Sequence, residues 1–310
     1  MATPLVVRLR NFVGDVILSV PTLRRLEEAG HELHLVGRGW AGALLEGYGW
    51  KTHKLPGGRL ERIRLFRRLR RELGTGTEAV TFPYAFSSAL EMRLAGLPAV
   101  GFGTEARGWL LRRSVRRPRG LHTLDEYWAL GQGFLGEPGE PAPAAVDWKL
   151  ARRHVEVADR LMREHGLVDG FAMACPFASG SIDGKNRCWP DFPAFAVALT
   201  RATDRPLVIC PGPGEELALA RRDYPMARVI EGVDMGVYGA LLARCGLMVS
   251  NNTGPGHLAA AVRAPLVSVH GPLPVELWGV RGPTAHVMAG WPPWPTVDAV
   301  LAKSLSLLRS

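Results

Sequence analysis

Cysteine is scarce and unpaired. The chain has four in 310 residues, Cys175, Cys188, Cys210 and Cys245, and none forms a C-x-x-C pair. That pattern speaks against a zinc site or a disulfide framework and for reduced thiols in a cytoplasmic protein. Long apolar runs are missing too: nothing approaches the roughly 20 uncharged residues that cross a bilayer. Residues 1–8 lead straight into a strand-like run without the pattern of a secretory leader, so a soluble protein is expected. No D-x-D occurs, which leaves a metal-bridged diphosphate unsupported, and no metal is expected. Without G-x-S-x-G or a P-loop, hydrolase and NTPase readings fall away.

What is present is apolar and basic. Apolar residues make up 47% of the chain, enough for buried cores, and 310 residues accommodate two domains. The net charge of +9 is uneven: residues 1–150 carry 22 basic and 15 acidic side chains, residues 151–310 carry 16 and 14. Two arginine-rich stretches hold most of the excess. In residues 59–71, Ile63, Phe66 and Leu69 recur at near-helical spacing, so the arginines there read as one solvated helix face or as an anion-binding surface. Residues 107–119 are less regular and end in Pro118-Arg119-Gly120, which suggests a loop facing an acidic partner: nucleic acid, anionic lipid or a phosphorylated sugar. No nucleic-acid recognition motif accompanies them, and no nucleic-acid partner is expected.

Strand and helix signals alternate through the first half: strands at 5–9, 32–36, 79–82 and near 100, helices at 15–28, 59–73 and 87–95. Apolar strands in repeated βα units imply a parallel sheet covered on both faces. The Pro-rich stretch 136–146 marks a linker. After a helix at 152–165 the alternation restarts, with strands at 171–174, 207–210, 228–230, 247–250 and 266–270. The expected architecture is α/β, two Rossmann-like domains facing across a cleft, residues 1–146 and 147–296. A last helix at 297–308 is expected to pack back on the first domain.

The most informative segment is residues 250–261, Ser-Asn-Asn-Thr-Gly-Pro-Gly-His-Leu-Ala-Ala-Ala. It reads as a strand end, a glycine-rich turn and a helix N-terminus, with Asn252 or Thr253 as N-cap and Pro255 in the first turn. Free backbone N–H groups and the positive end of the helix dipole converge in such a turn, making an anion site. Gly254 and Gly256 permit close backbone approach. Gly254, Gly256 and Ala259 also spell G-x-G-x-x-A, which admits a nicotinamide-dependent dehydrogenase as a rival, although the motif lies late in its domain. His257, in the first turn, either contacts a ligand or packs. Lys185 and Arg187, in the basic loop before Trp189-Pro190, are candidates to neutralise a diphosphate. Glu215 and Glu216, after the strand ending at Cys210, either bind ribose hydroxyls or cap a helix. Asp15, at the first βα turn, is a candidate general base or an N-cap.

Together these residues resemble the glycosyltransferase family 9 heptosyltransferases. Residues 14–23, Gly-Asp-Val-Ile-Leu-Ser-Val-Pro-Thr-Leu, are similar to that family's G-D-(x)-L-(x2)-P-(x)-L signature. Residues 252–261 resemble its D-T-G-(x2)-H-(L/A)-A-A signature, Gly271-Pro272 its later G-P, and residues 187–190, Arg-Cys-Trp-Pro, its K-x-W-P. Residues 86–90, 95–98 and 127–130 look most like the heptosyltransferase II branch. Two departures stand out: Asn252 where the family usually has Asp, and Arg187 at the usual Lys register with Lys185 two residues earlier.

The resemblance implies a GT-B fold and inverting, metal-independent transfer of heptose from ADP-heptose, with no cofactor. The implied acceptor is an anionic, lipid-linked lipopolysaccharide inner core, met peripherally at the inner face of the inner membrane. Asp15 would be the base. The implied donor set is Gly14, Ser181, Lys185, Arg187, Glu215, Glu216, Asn252, Thr253, Gly254 and His257, with the register favouring Glu216 for the ribose. Arg107, Arg112, Arg113 and Arg116 are the expected acceptor contacts. A transferase using another nucleotide sugar, or a binding protein that has lost catalysis, are the alternatives.

Overall fold

The computed structural model describes residues 2–137, 139–178 and 184–308. It divides into two compact units, residues 1–143 and 144–310, so the boundary lies inside the Pro-rich stretch.

The N-terminal unit runs β1 (Thr3–Arg8), α1 (Val13–Glu28), β2 (His31–Gly37), α2 (Ala41–Leu45), β3 (Lys51–Lys54), α3 (Arg59–Leu73), β4 (Glu78–Thr81), α4 (Phe86–Leu94), β5 (Val100–Phe102), β6 (Arg113–Val115) and α5 (Thr123–Leu135). All six strands pair in parallel in the order β3-β2-β1-β4-β5-β6. Helices α3 and α4 bury Leu65, Phe66, Leu69 and Met92 over Val6, Val36 and Ala79 on one face, while α1 and α5 pack together.

The C-terminal unit runs α6 (Arg152–Glu164), β7 (Ala172–Cys175), α7 (Phe192–Ala202), β8 (Leu207–Ile209), α8 (Glu215–Asp223), β9 (Arg228–Val229), α9 (Met235–Leu242), β10 (Leu247–Asn251), α10 (Gly254–Ala261), β11 (Leu266–His270), α11 (Val275–Trp278), β12 (Ala285–Ala289) and α12 (Val297–Leu308). Its parallel order is β12-β11-β10-β7-β8-β9. Counted within each unit, the two sheets have one and the same doubly wound order. Each reverses direction between its first and fourth strands, and ligands of such sheets bind outside the carboxyl ends of the strands at that switch point.

Two expectations are corrected. Helix α12 buries Val300 and Ser304 and packs on α7, β10 and β11, so it is part of the C-terminal unit rather than a helix returned to the first domain. Residues 107–119, expected as a loop, contain edge strand β6, whose Arg113, Ser114 and Val115 pair with Val100, Gly101 and Phe102. Among the described residues, no helix is long and apolar enough to cross a membrane.

Candidate functional site

In the N-terminal unit the switch point lies between β1 and β4. Asp15 is the third residue of α1, just beyond the β1 end, and not its cap: Phe12 holds that position and no side chain caps the helix. The carboxylate is therefore left for other partners. Tyr127 Oη on α5 donates to Asp15 Oδ1 at 2.5 Å, and Arg10 Nε stands 3.5 Å from Oδ2. Burial first, then the neighbouring carboxylate, raise Tyr127 well above the ordinary phenol range, so it stays a neutral donor.

Arg10 also stacks on Tyr84, as does Arg117; each guanidinium carbon is 4.2 Å from the ring centroid. Tyr84 Oη donates to Glu126 Oε2 at 2.6 Å, and Arg117 reaches the same carboxylate through Nε and Nη2, both at 3.0 Å. Asp15 thus stands at the end of a network, Tyr127, Arg10, Tyr84, Glu126 and Arg117, that fixes its orientation from α5 and the β4 and β6 loops. Gly14, the second residue of α1, is half-buried beside it.

The four expected acceptor arginines do not gather at this edge. Arg107 is fully buried, donating to Phe102 O (2.9 Å), Ala85 O (2.9 Å) and Ser88 Oγ (3.0 Å). Burial draws it down to about 10. Arg112 and Arg113 lie at the start of β6, at the opposite end of the sheet. Arg112 donates to Glu78, the first residue of β4, and Arg113 to Phe134 near the end of α5. Only Arg116, past the end of β6, is exposed on the Asp15 edge. Arg10, Tyr84, Arg117 and Tyr127 are the residues a sequence reading misses here.

In the C-terminal unit the switch point lies between β7 and β10. Asn251 clamps its parts together: Oδ1 accepts from Trp189 N at 2.9 Å and Nδ2 donates to Pro176 O at 2.6 Å. Arg187 Nη2 donates to Asn252 O at 2.6 Å, tying the basic loop to the turn, whereas Lys185 is exposed. Thr253 is the N-cap of α10, in extended conformation and making no capping bond; its Oγ1 is instead 3.8 Å from Cys175 Sγ. The N–H groups of Gly254 and Gly256 accordingly receive no cap from the Thr253 side chain. Asn252 is buried, and its Nδ2 has no hydrogen-bond partner among the described residues.

Gly256 serves packing rather than ligand approach: a Cβ there would stand 2.7 Å from Ser250 Oγ. His257, the fourth residue of α10, is buried. Glu216 turns back to accept from Gly212 N at 2.8 Å, bracing the β8–α8 loop, while Glu215 is exposed. Ser181 lies outside the described residues. His270, at the end of β11, went unremarked in the sequence. It is fully buried with Nε2 3.0 Å from Ser268 Oγ, and burial, then the charge of Arg187, draw it down to about 4. Among the described residues no group of three or more His, Cys, Asp or Glu is placed to hold a metal ion.

The model of glycosyltransferase family 9 (heptosyltransferase) matches residues 64–298. Residues 14–23 precede that match, so Asp15 rests on its own geometry. Among solved structures, ADP-heptose lipopolysaccharide heptosyltransferase II of E. coli aligns over 100% of this chain and 99% of its own, at 21% identity and a TM-score of 0.77. A family 9 glycosyltransferase from Veillonella parvula covers 99% and 97%, at 17% identity and 0.81. E. coli heptosyltransferase WaaC with ADP covers 98% and 99%, at 18% identity and 0.74. A search of curated proteins by sequence finds no match. The paired doubly wound sheets are thus the GT-B fold of these enzymes.

Proposed function

Because the chain belongs to glycosyltransferase family 9 and is a heptosyltransferase-type glycosyltransferase, we propose that it transfers heptose from ADP-heptose to an anionic, lipid-linked lipopolysaccharide inner core, with inversion and without a metal. The observation that carries this reading is Asp15, a carboxylate at a switch point, free of capping duty and oriented by Tyr127 and Arg10.

Asp15 takes the proton of the acceptor hydroxyl. The oxygen attacks the anomeric carbon from the face opposite the diphosphate, and the anomeric C–O bond breaks as ADP leaves. Such base assistance contributes on the order of 10²–10⁴-fold. Charge growing on the departing diphosphate is met by the first N–H groups of α10, its positive dipole end and the Arg187 guanidinium, the larger electrostatic contribution. The unpartnered Asn252 amide supplies a neutral donor where the family usually has a carboxylate. The oxygen of Glu216 not committed to Gly212 takes a ribose hydroxyl. Arg116, with the excess charge of the N-terminal half, attracts the anionic acceptor. The protein works in the cytoplasm, peripherally on the inner face of the inner membrane.

The test is incubation with ADP-heptose and truncated core acceptors in the presence of a chelator, with the product's anomeric configuration read by NMR. An inverted glycoside formed without metal supports the reading. A retained configuration, or strict metal dependence, overturns it.

A further inference from the structure

The N-terminal sheet ends in a row of exposed apolar side chains. Its adjacent strands β1, β4, β5 and β6 each lead into a loop or helix start bearing one: Phe12 (63% exposed), Phe86 (36%), Trp109 (72%) and Leu121 (42%). Phe12, Phe86 and Leu121 stand at or just before the starts of α1, α4 and α5, at the carboxyl edge of the sheet, and Trp109 joins them through Phe86. The Phe86 and Trp109 rings pair at 6.2 Å between centroids. Single exposed apolar residues need no explanation, but an aligned set on one edge marks an interaction surface.

The loop that presents Trp109 is held open rather than left loose. Glu105 and Ala106 both adopt left-handed backbone, at φ 51° and 54°, a conformation costly for residues other than glycine. Buried Arg107 pins the loop to Phe102, Ala85 and Ser88. Thr104 Oγ1 donates to Tyr84 O at 2.9 Å, and Phe86 N donates to Glu105 Oε2 at 2.7 Å. Leu110 beside Trp109 is buried while the indole faces outward. Exposed Arg38, Arg116 and Arg119, from the β2 and β6 ends, flank the row on the same edge. Apolar side chains that include a tryptophan, interleaved with exposed arginines, suit the headgroup region of an anionic bilayer.

We infer that this edge of the N-terminal unit is a membrane-docking surface: Phe12, Phe86, Trp109 and Leu121 enter the headgroup region of an anionic bilayer, and Arg38, Arg116 and Arg119 bind its phosphates. The inference rests on the proposed function only for its purpose, since Asp15 follows Phe12 by three residues and docking brings a lipid-linked acceptor to the base.

The test is flotation of the full chain with phosphatidylcholine vesicles, with and without phosphatidylglycerol. Wild-type protein binds the anionic vesicles, and Phe86→Ser/Trp109→Ser lowers the apparent affinity roughly tenfold or more while the melting temperature is kept. The control is Arg67→Ala/Arg71→Ala, in the cavity of about 660 Å³ between the far ends of α3 and α4, and it binds as wild type. Undiminished binding by the Phe86/Trp109 variant, or an equal loss in the Arg67/Arg71 variant, overturns the inference. Transfer to an acyl-free acceptor, assayed alongside, is unchanged in the Phe86/Trp109 variant. Vesicle binding without any transfer by wild-type protein would refute the heptosyltransferase reading and leave the docking surface standing.

Discussion

Tyr127 Oη donates to Asp15 Oδ1 at 2.5 Å, the shortest link in a network that reaches Arg117 and Glu126. A hydrogen bond to a charged group contributes about 1.5–3 kcal/mol, and here it fixes where the base points. Tyr127→Phe is expected to lower kcat about tenfold with ADP affinity unchanged, measured by steady-state kinetics and calorimetry. An unchanged kcat would remove Tyr127 from the account of Asp15.

The two cations of the basic loop have different standing. Arg187 is held against the β10–α10 turn through Asn252 O, whereas Lys185 is exposed. Arg187→Ala is expected to weaken ADP binding on the order of 10- to 100-fold, the range for a charge-assisted contact to a diphosphate. Lys185→Ala is expected to change it less than about threefold. Calorimetric titration distinguishes them, and the reverse ranking would move the diphosphate toward Lys185.

Arg107 and Arg116 separate structure from substrate contact. Removing the buried Arg107 takes a donor from Phe102 O, Ala85 O and Ser88 Oγ, opens a cavity and costs on the order of 3 kcal/mol, read as a lower urea midpoint. Arg116→Ala is expected to leave that midpoint unchanged and to raise KM for an anionic acceptor. A stable Arg107→Ala protein with a raised acceptor KM would restore Arg107 to a binding role.

His270 makes the fold acid-sensitive. Its pKa falls from an ordinary 6.5 to about 4 on burial, so as pH drops the unfolded chain takes up the proton before the folded one does. The stability is present above pH 6.5 and is lost as pH falls toward 4, by about 2 kcal/mol between pH 7 and 5. His34, His53 and His286 also shift downward, so the quantity to measure is the difference from His270→Gln in urea unfolding at the two pH values. Equal pH dependence in both proteins would contradict the shift.

The sequence revealed the buried centre of each sheet and obscured three of the four edge strands, β9 at 228–229 being the exception. Strands β1, β2, β4, β7, β10 and β11 are apolar runs, and each was legible. The strands passed over, β3 (Lys-Thr-His-Lys), β6 (Arg-Ser-Val) and β12 (Ala-His-Val-Met-Ala), lie at sheet edges; polar residues deny β3 and β6 an apolar run, and β12 is only half-buried, its short run broken by His286. Helix α9 was hidden for the opposite reason: nearly every residue is buried, leaving no apolar periodicity.

Missing β6 carried through to the site. Without that strand, residues 107–119 read as one loop and Arg112, Arg113 and Arg116 as one patch, but the strand sends them to opposite ends of the sheet. The β10–α10 turn and the position of Asp15 were legible because cap, proline and glycine chemistry is local. The partners Tyr127, Tyr84 and Arg117 were not, since they reach Asp15 through tertiary contacts more than 60 residues away in sequence.

The central claim is that Asp15 is the base of a heptosyl transfer, and Asp15→Asn tests it most directly. Transfer from ADP-heptose to a core acceptor is measured beside calorimetric binding of ADP. The account predicts transfer reduced on the order of 10³-fold with ADP affinity nearly unchanged, because Asp15 and the diphosphate turn belong to different units. An active Asp15→Asn enzyme would contradict it.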